Sequence, residues 1–182
     1  MQPRIDYATT APGVAKAMLG LEEYVHHTGL EPGLLELVRL RASLINGCAY
    51  CVDMHTKVAR SLGETEQRLY SVSVWREAPY YTERERAALA WTEAVTLVSG
   101  DHVPDEVYET ARQHFPDKEL IDLTLAIVAI NGWNRLAVAF RTVPGRSKWT
   151  GGHRTDRPYL PRRSRRLAET MWVNDDHDQA RL

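Results

Sequence analysis

The chain contains two cysteines, Cys48 and Cys51, and they sit three residues apart. His55 follows Cys51 by four residues, and Glu36 precedes Cys48 by twelve. On a helix each residue advances by roughly 100°, so Cys48, Cys51 and His55 fall within roughly 60° of one another on a single face. That clustering places two sulfurs and an imidazole together without any tertiary assumption beyond the helix. Asn46-Gly47 is a turn signal immediately before Cys48, so the first cysteine lies at or near a helix N-terminus. Free backbone N–H groups and the positive end of the helix dipole stabilise a thiolate there. A second thiol one turn away can resolve a sulfenic acid or a mixed disulfide on the first. His55 can exchange protons with the sulfur of Cys51. If the helix carrying Glu36 folds back as a hairpin, the Glu36 carboxylate can orient or charge that imidazole.

Other chemistries remain possible for the same residues. Cys48, Cys51, His55 and Glu36 could form a four-ligand zinc site, although structural zinc sites draw on two separated ligand pairs and the chain has no second cysteine pair. The cysteines could be two small buried hydrophobes. Haem attachment needs Cys-x-x-Cys-His, and Val52 occupies the histidine position. Glu36 taken alone reads as a helix carboxylate paired with Arg39 or Arg41. Two cysteines so close together do not make a structural disulfide framework. We expect neither a cofactor nor a resident metal.

The elements that must position these groups read as helices. Thr10–Pro12 opens a first helix that Gly29 ends, with residues 1–10 irregular. GLLELVRLRASLI (33–45) follows, with Leu34, Leu37, Val38 and Ile45 on one face. The cysteine helix runs to about Leu62 with Gly63 as its cap. A short helix spans about Glu64 to Trp75. Thr82 and Glu85 form a capping-box pattern before a helix that ends at Ser99-Gly100. Pro104 opens another, and a last helix runs from about Lys118 to Phe140. No segment reads as a strand. The expected class is all-α, with about seven helices.

Composition bounds the rest. The 182 residues are 43% hydrophobic and 26% charged, with formal net charge −1 and pI near 6.7. That is a globular composition with no overall bias toward nucleic acid or an anionic membrane. No apolar run reaches about 18 residues, and the N-terminus lacks the apolar core of a signal peptide. The expectation is a cytoplasmic protein with no nucleic-acid or membrane partner. Residues 1–144 form the expected helical domain. Residues 145–182 carry nine Lys+Arg against five Asp+Glu, including RRSRR at 162–166, and read as a basic extension. That extension is either a solvated arm or a segment packed on another subunit.

The spacing of Glu36, Cys48, Cys51 and His55 resembles the Glu-(eleven residues)-Cys-x-x-Cys-x-x-x-His pattern of the alkylhydroperoxidase D family, part of the carboxymuconolactone decarboxylase superfamily. INGWNRLAVAFRTVPG (130–145) also looks like the end of such proteins, and the resemblance covers most of residues 10–144. It implies an alkylhydroperoxidase D-like all-helical fold and a homo-oligomer, trimer or hexamer. It also implies a thiol-dependent peroxidase reducing a hydroperoxide with electrons from a lipoyl- or thioredoxin-type dithiol. In that family the second cysteine, here Cys51, attacks peroxide, the first, here Cys48, resolves it, and the glutamate and histidine, here Glu36 and His55, relay protons. Dipole reasoning alone favours Cys48 as the nucleophile, so the order of attack stays open. Tyr50 stands where well-studied members have a histidine, and a phenol does not shuttle protons readily near neutral pH. The alternatives are a decarboxylase-type lyase acting on a carboxylated lactone, and a non-enzymatic redox sensor. Finally, Ile45-Asn46-Gly47 is echoed by Ile130-Asn131-Gly132, which suggests either a duplicated helical unit or coincidence.

Overall fold

The computed structural model describes residues 2–145. Among these residues the structure is helical with no strand: α1 Tyr7–Thr10, α2 Pro12–His26, α3 Pro32–Ile45, α4 Ala49–Ser61, α5 Glu66–Ser71, α6 Glu83–Thr96, α7 Val98–Asp101, α8 Asp105–His114 and α9 Asp117–Phe140. The expected all-α class holds. The count differs because two short turns were not legible. Tyr7–Thr10, within the stretch read as irregular, forms a helical turn capped by Asp6, whose carboxylate accepts from the Thr9 backbone N–H. Val98–Asp101 detaches from the end of α6. The helix expected over 64–75 is α5 followed by a 3-10 turn, Val72–Val74. The basic extension lies outside the described residues beyond Gly145.

Local signals set most boundaries. Pro12 and Pro32 occupy the first turns of α2 and α3, where a missing N–H costs nothing. Thr82 and Glu85 make both hydrogen bonds of a capping box at α6. Gly47 adopts φ +64°, a left-handed conformation that costs a residue with a side chain roughly 1–2 kcal/mol. That turn breaks the chain between α3 and α4 and lets α4 fold back along α3.

The helix expected to be apolar on one face, α3, is the centre of the fold. It packs on α4, α6 and α9, and buries Leu34, Leu35, Glu36, Leu37, Val38, Leu40, Ala42 and Ser43. Leu34, Leu35 and Val38 join Trp91, Phe115, Leu123 and Ile127 in one core. Leu37 and Leu40 join Leu69, Val72, Trp75 and Leu89 in a second. A third and smaller core contains Ala42, Cys48, Cys51, Ile130 and Ala137, with Tyr50 and Trp133 against it.

The 24-residue α9 is long and apolar enough to cross a membrane by length and composition, with a mean hydropathy of 1.4. It instead packs against α2, α3, α4 and α6. It also buries Asp122, Asn131 and Asn134, each hydrogen-bonded to another side chain. The echoed tripeptide serves two different ends. Gly47 breaks a helix, whereas Gly132 lies inside α9, where a Cβ would come within 2.8 Å of the Met18 terminal methyl. Gly132 therefore leaves room for the end of the Met18 side chain of α2 against α9. The two asparagines of the echo meet, since Asn46 Nδ2 donates to Asn131 Oδ1 at 3.0 Å.

Candidate active site

The Asn46–Gly47 break makes Cys48 the N-cap of α4, with extended φ −87° and ψ 90°. Its sulfur accepts the backbone N–H of Cys51 at 3.4 Å. A cap residue conventionally supplies oxygen for this bond; here the sulfur takes that position. Cys51 is the third residue of α4, and the two sulfurs lie 2.8 Å apart. Both cysteines are free thiols and only 1% exposed. A disulfide bond is about 2.05 Å long, so bond formation needs little motion.

The two thiols ionise unequally. Cys48 is brought down to about 7, first by the hydrogen bond with the Cys51 thiol, against the effect of burial, and then by the Cys51 backbone N–H. Cys51 is pushed up by its hydrogen bond with Cys48 and by burial. Either thiol can donate across the 2.8 Å contact. The Cys51 backbone N–H donates to the Cys48 sulfur at 3.4 Å and favours the negative charge there.

His55, one turn beyond Cys51, is 6% exposed. Its Nδ1 lies 2.8 Å from Glu36 Oε2, so α3 and α4 form the hairpin that brings the carboxylate to the imidazole. With Nδ1 held by the carboxylate, the network assigns the exchangeable position to Nε2. That nitrogen is buried and has no hydrogen-bond partner among the described residues, which leaves it available for proton transfer.

Glu36 is 4% exposed. Burial alone would push its carboxyl up. The interaction with His55 and its hydrogen bond, followed by the Arg39 guanidinium, outweigh burial and hold it near 2. Arg39 Nη1 donates to Glu36 Oε1 at 2.7 Å, Arg39 Nη2 to Glu22 Oε2 at 2.6 Å, and Trp133 Nε1 to Glu22 Oε1 at 3.1 Å. The result is a half-buried hydrogen-bonded chain from Trp133 of α9 through Glu22 of α2 and Arg39 of α3 to Glu36 and the histidine. Both Glu36 oxygens are thus occupied, which argues against the four-ligand zinc arrangement. Among the described residues no group of three or more His, Cys, Asp or Glu is arranged to hold a metal.

Of the four residues expected at the site, the structure pairs Cys48 with Cys51 and Glu36 with His55, and His55 lies one turn beyond Cys51 on α4. Glu36 pairs with Arg39 as its helix spacing suggests, and with His55 as well. Arg41 turns away to Glu93. Sequence reasoning missed four contributors. Glu22 gave no signal beyond helical spacing. Ser43 and Asn134 lie beside the sulfurs, and only the echoed segment around Asn131 pointed toward that part of α9. Tyr7 belongs to the stretch read as irregular. Burial, then the Cys51 and Asp6 charges, and last that of Cys48, push its phenol up to about 12, so α1 lies within electrostatic reach of both sulfurs. The ring of Tyr7 rests 5.7 Å from that of Phe140. Arg4 ties this segment to the end of α9 by donating to the Ala139 and Phe140 carbonyls at 3.0 Å.

The chain is similar to known proteins in sequence and in fold. Residues 12–94 match the Carboxymuconolactone decarboxylase family. The uncharacterized protein YdfG of Bacillus subtilis is 42% identical over 139 residues, covering 76% of this chain and 95% of YdfG. A crystal structure from Agrobacterium tumefaciens, of a protein of unknown function named as a putative antioxidant defence protein AhpD, superposes with TM-score 0.77 at 51% identity. The match covers 79% of this chain and 98% of that one. An uncharacterized peroxidase-related protein of Ralstonia eutropha, with an alkylhydroperoxidase AhpD core, shares the fold with TM-score 0.68. It is 24% identical and covers 76% of this chain and 74% of its own. A helical domain organised around α3, a match to the family model and close similarity over nearly the whole of two relatives lead to one conclusion: the chain belongs to the carboxymuconolactone decarboxylase superfamily and is alkylhydroperoxidase D-like.

Proposed function

We propose that the protein is a dithiol-dependent peroxidase in which Cys48 and Cys51 cycle between thiol and disulfide. The observation that carries this reading is the pair of free sulfurs 2.8 Å apart at the head of α4. His55 stands one turn away with Nδ1 engaged by Glu36 and Nε2 unengaged.

The thiolate of Cys51 attacks the distal oxygen of a hydroperoxide, forming an S–O bond as the O–O bond breaks. The departing alkoxide takes a proton from His55 Nε2 and leaves as alcohol, and Cys51 becomes a sulfenic acid. Cys48 then attacks that sulfur. The S–S bond forms, the sulfenic oxygen leaves with two protons as water, and Glu36 supports the imidazole through its charge changes. An external dithiol of lipoyl or thioredoxin type reduces the disulfide and is itself oxidised.

For Cys51 to attack, the charge that rests on Cys48 must first move, either across the 2.8 Å contact or by loss of the Cys51 proton to His55. If Cys48 attacks instead, the same products form with the roles exchanged. A homo-oligomer, trimer or hexamer, is part of this reading.

The test is peroxide consumption by reduced protein with dihydrolipoamide as the recycling dithiol, alongside Cys48→Ser and Cys51→Ser. Turnover in the wild type and its loss in both variants supports the proposal. Trapping of sulfenic acid in one single variant and not the other identifies the attacking sulfur. Full turnover by Cys51→Ser overturns the stated order, and no turnover by the wild type overturns the peroxidase reading. Decarboxylation of a muconolactone that survives loss of both cysteines moves the assignment to the lyase alternative.

A further inference from the structure

A buried carboxylate that faced only an imidazole would hold the ring as imidazolium, because the ring would then be its sole counter-charge. A histidine held that way releases its proton poorly and serves badly as both donor and acceptor. The structure gives Glu36 a second cation. Arg39, one turn further along α3, donates from Nη1 to Glu36 Oε1 at 2.7 Å. That is the oxygen His55 does not use, since the imidazole Nδ1 lies 2.8 Å from Oε2.

Arg39 is itself fixed. Its Nη2 donates to Glu22 Oε2 of α2 at 2.6 Å, and the other Glu22 oxygen accepts from Trp133 Nε1 of α9 at 3.1 Å. One planar guanidinium therefore grips two carboxylates, one with each prong of its fork. The Arg39 and Glu22 side chains are each 16% exposed, so salt and water screen their charges little. Charge alternates from Glu22 through Arg39 to Glu36, and the imidazole stands at the inner end. Arg41, also on α3, takes no part, because it pairs with Glu93.

We propose that Arg39, anchored by Glu22, is a positioning residue: it holds Glu36 against His55, shares the carboxylate's charge, and so sets the pH at which the Glu36–His55 pair releases its proton. This rests on reading His55 as the proton carrier of the cysteine pair, but the experiment below uses no peroxide. The titratable and charged groups around the pair are Glu22 from α2, Arg39 on α3, Cys48 and Cys51 at the head of α4, and Tyr7 from α1. Glu93 of α6 is engaged by Arg41 and Arg76, and Arg135 of α9 by Asn131. Because Glu36 and His55 are in contact, the proton belongs to the pair, and one midpoint describes its release.

The experiment follows the imidazole signals of His55 by NMR against pH in the reduced full-length protein, Arg39→Met and Glu22→Gln. The signals are assigned by their absence from His55→Gln. Arg39→Met removes the positive charge and leaves Glu36 with His55 as its partner, so the pair keeps its proton to higher pH. The midpoint is expected to rise by at least about half a pH unit, roughly threefold in proton affinity. Glu22→Gln removes the charge that offsets Arg39 and nearly keeps the shape, so the guanidinium acts on the pair unopposed and the midpoint is expected to fall. Arg39→Lys, which keeps the charge, should bring the midpoint back toward that of the wild type. A purely structural Arg39 or Glu22 lowers the melting temperature and leaves the midpoint in place. Shifts of opposite sign in Arg39→Met and Glu22→Gln support the inference. A rise of less than about half a unit in Arg39→Met, or shifts of the same sign in both variants, overturns it. If Arg39→Met does not fold, Glu22→Gln decides: a lower midpoint supports the inference and an unchanged or higher one overturns it. A wild type that consumes no peroxide still gives these titrations, so failure of the peroxidase reading and failure of this one are separate results.

Discussion

Replacing Glu36 by glutamine removes a buried negative charge while nearly preserving the side chain's shape, and the structure gives the size of the effect. The carboxyl sits near 2 in the folded protein against an ordinary value of 4.5. At about 1.4 kcal/mol per pH unit, that gap corresponds to about 3 kcal/mol of folding stability. Because the folded value lies below the unfolded one, the unfolded chain binds the proton first. The contribution is complete above about pH 4.5 and is lost as pH falls toward about 2. Glu31 is also held low by Arg84, and Glu93 by the Trp75 indole N–H and then by Arg76 and Arg41, so the wild type loses stability in acid for several reasons at once. The difference between wild type and Glu36→Gln isolates one of them. Urea unfolding followed by circular dichroism at a series of pH values should show a gap of about 3 kcal/mol near neutrality that closes between about pH 4.5 and 2. In Glu36→Gln the imidazole loses its carboxylate partner, so peroxide turnover should fall with it. A gap that stays constant down to about pH 2.5, or no gap at neutral pH, would refute the claim that Glu36 is folded as an anion engaged by His55 and Arg39.

Three further outcomes follow from the geometry. Alkylation of the reduced wild type should rise with pH through about 7 as Cys48 ionises. At neutral pH Cys48→Ser, which leaves only the thiol that burial pushes up, should react at least about tenfold more slowly than Cys51→Ser. Gly47→Ala should cost roughly 1–2 kcal/mol in denaturant unfolding, because φ +64° at that turn strains any side chain; it should also slow disulfide formation by shifting the head of α4. Thr82→Ala should cost about 1 kcal/mol through loss of the α6 cap, and its thiol titration should match the wild type.

The sequence by itself determined the longer helices and singled out the four candidate site residues. Helix starts were legible because Pro12, Pro104 and the Thr82–Glu85 box act within one turn of where they stand, and Asn46-Gly47 breaks the chain wherever it is placed. Cys48, Cys51 and His55 share a face by spacing alone. Glu36 joined them through a family spacing, and the hairpin at Gly47 supplies the physical reason. Tertiary structure decided what surrounds these groups. Leu34, Leu37 and Val38 are buried as one face of α3, but Leu35, Leu40 and Ala42 are buried too, because helices pack on several sides of α3, which periodicity within one segment does not reveal. Glu22, Ser43, Asn134 and Tyr7 come from α2, α3, α9 and α1, and three of these four helices lie far from the cysteines in the chain. Which sulfur ionises first also depends on space, since it turns on a 3.4 Å backbone bond and on which side chains are buried beside it. Spacing within one helix fixes which groups can meet; the helices packed against it set their charge.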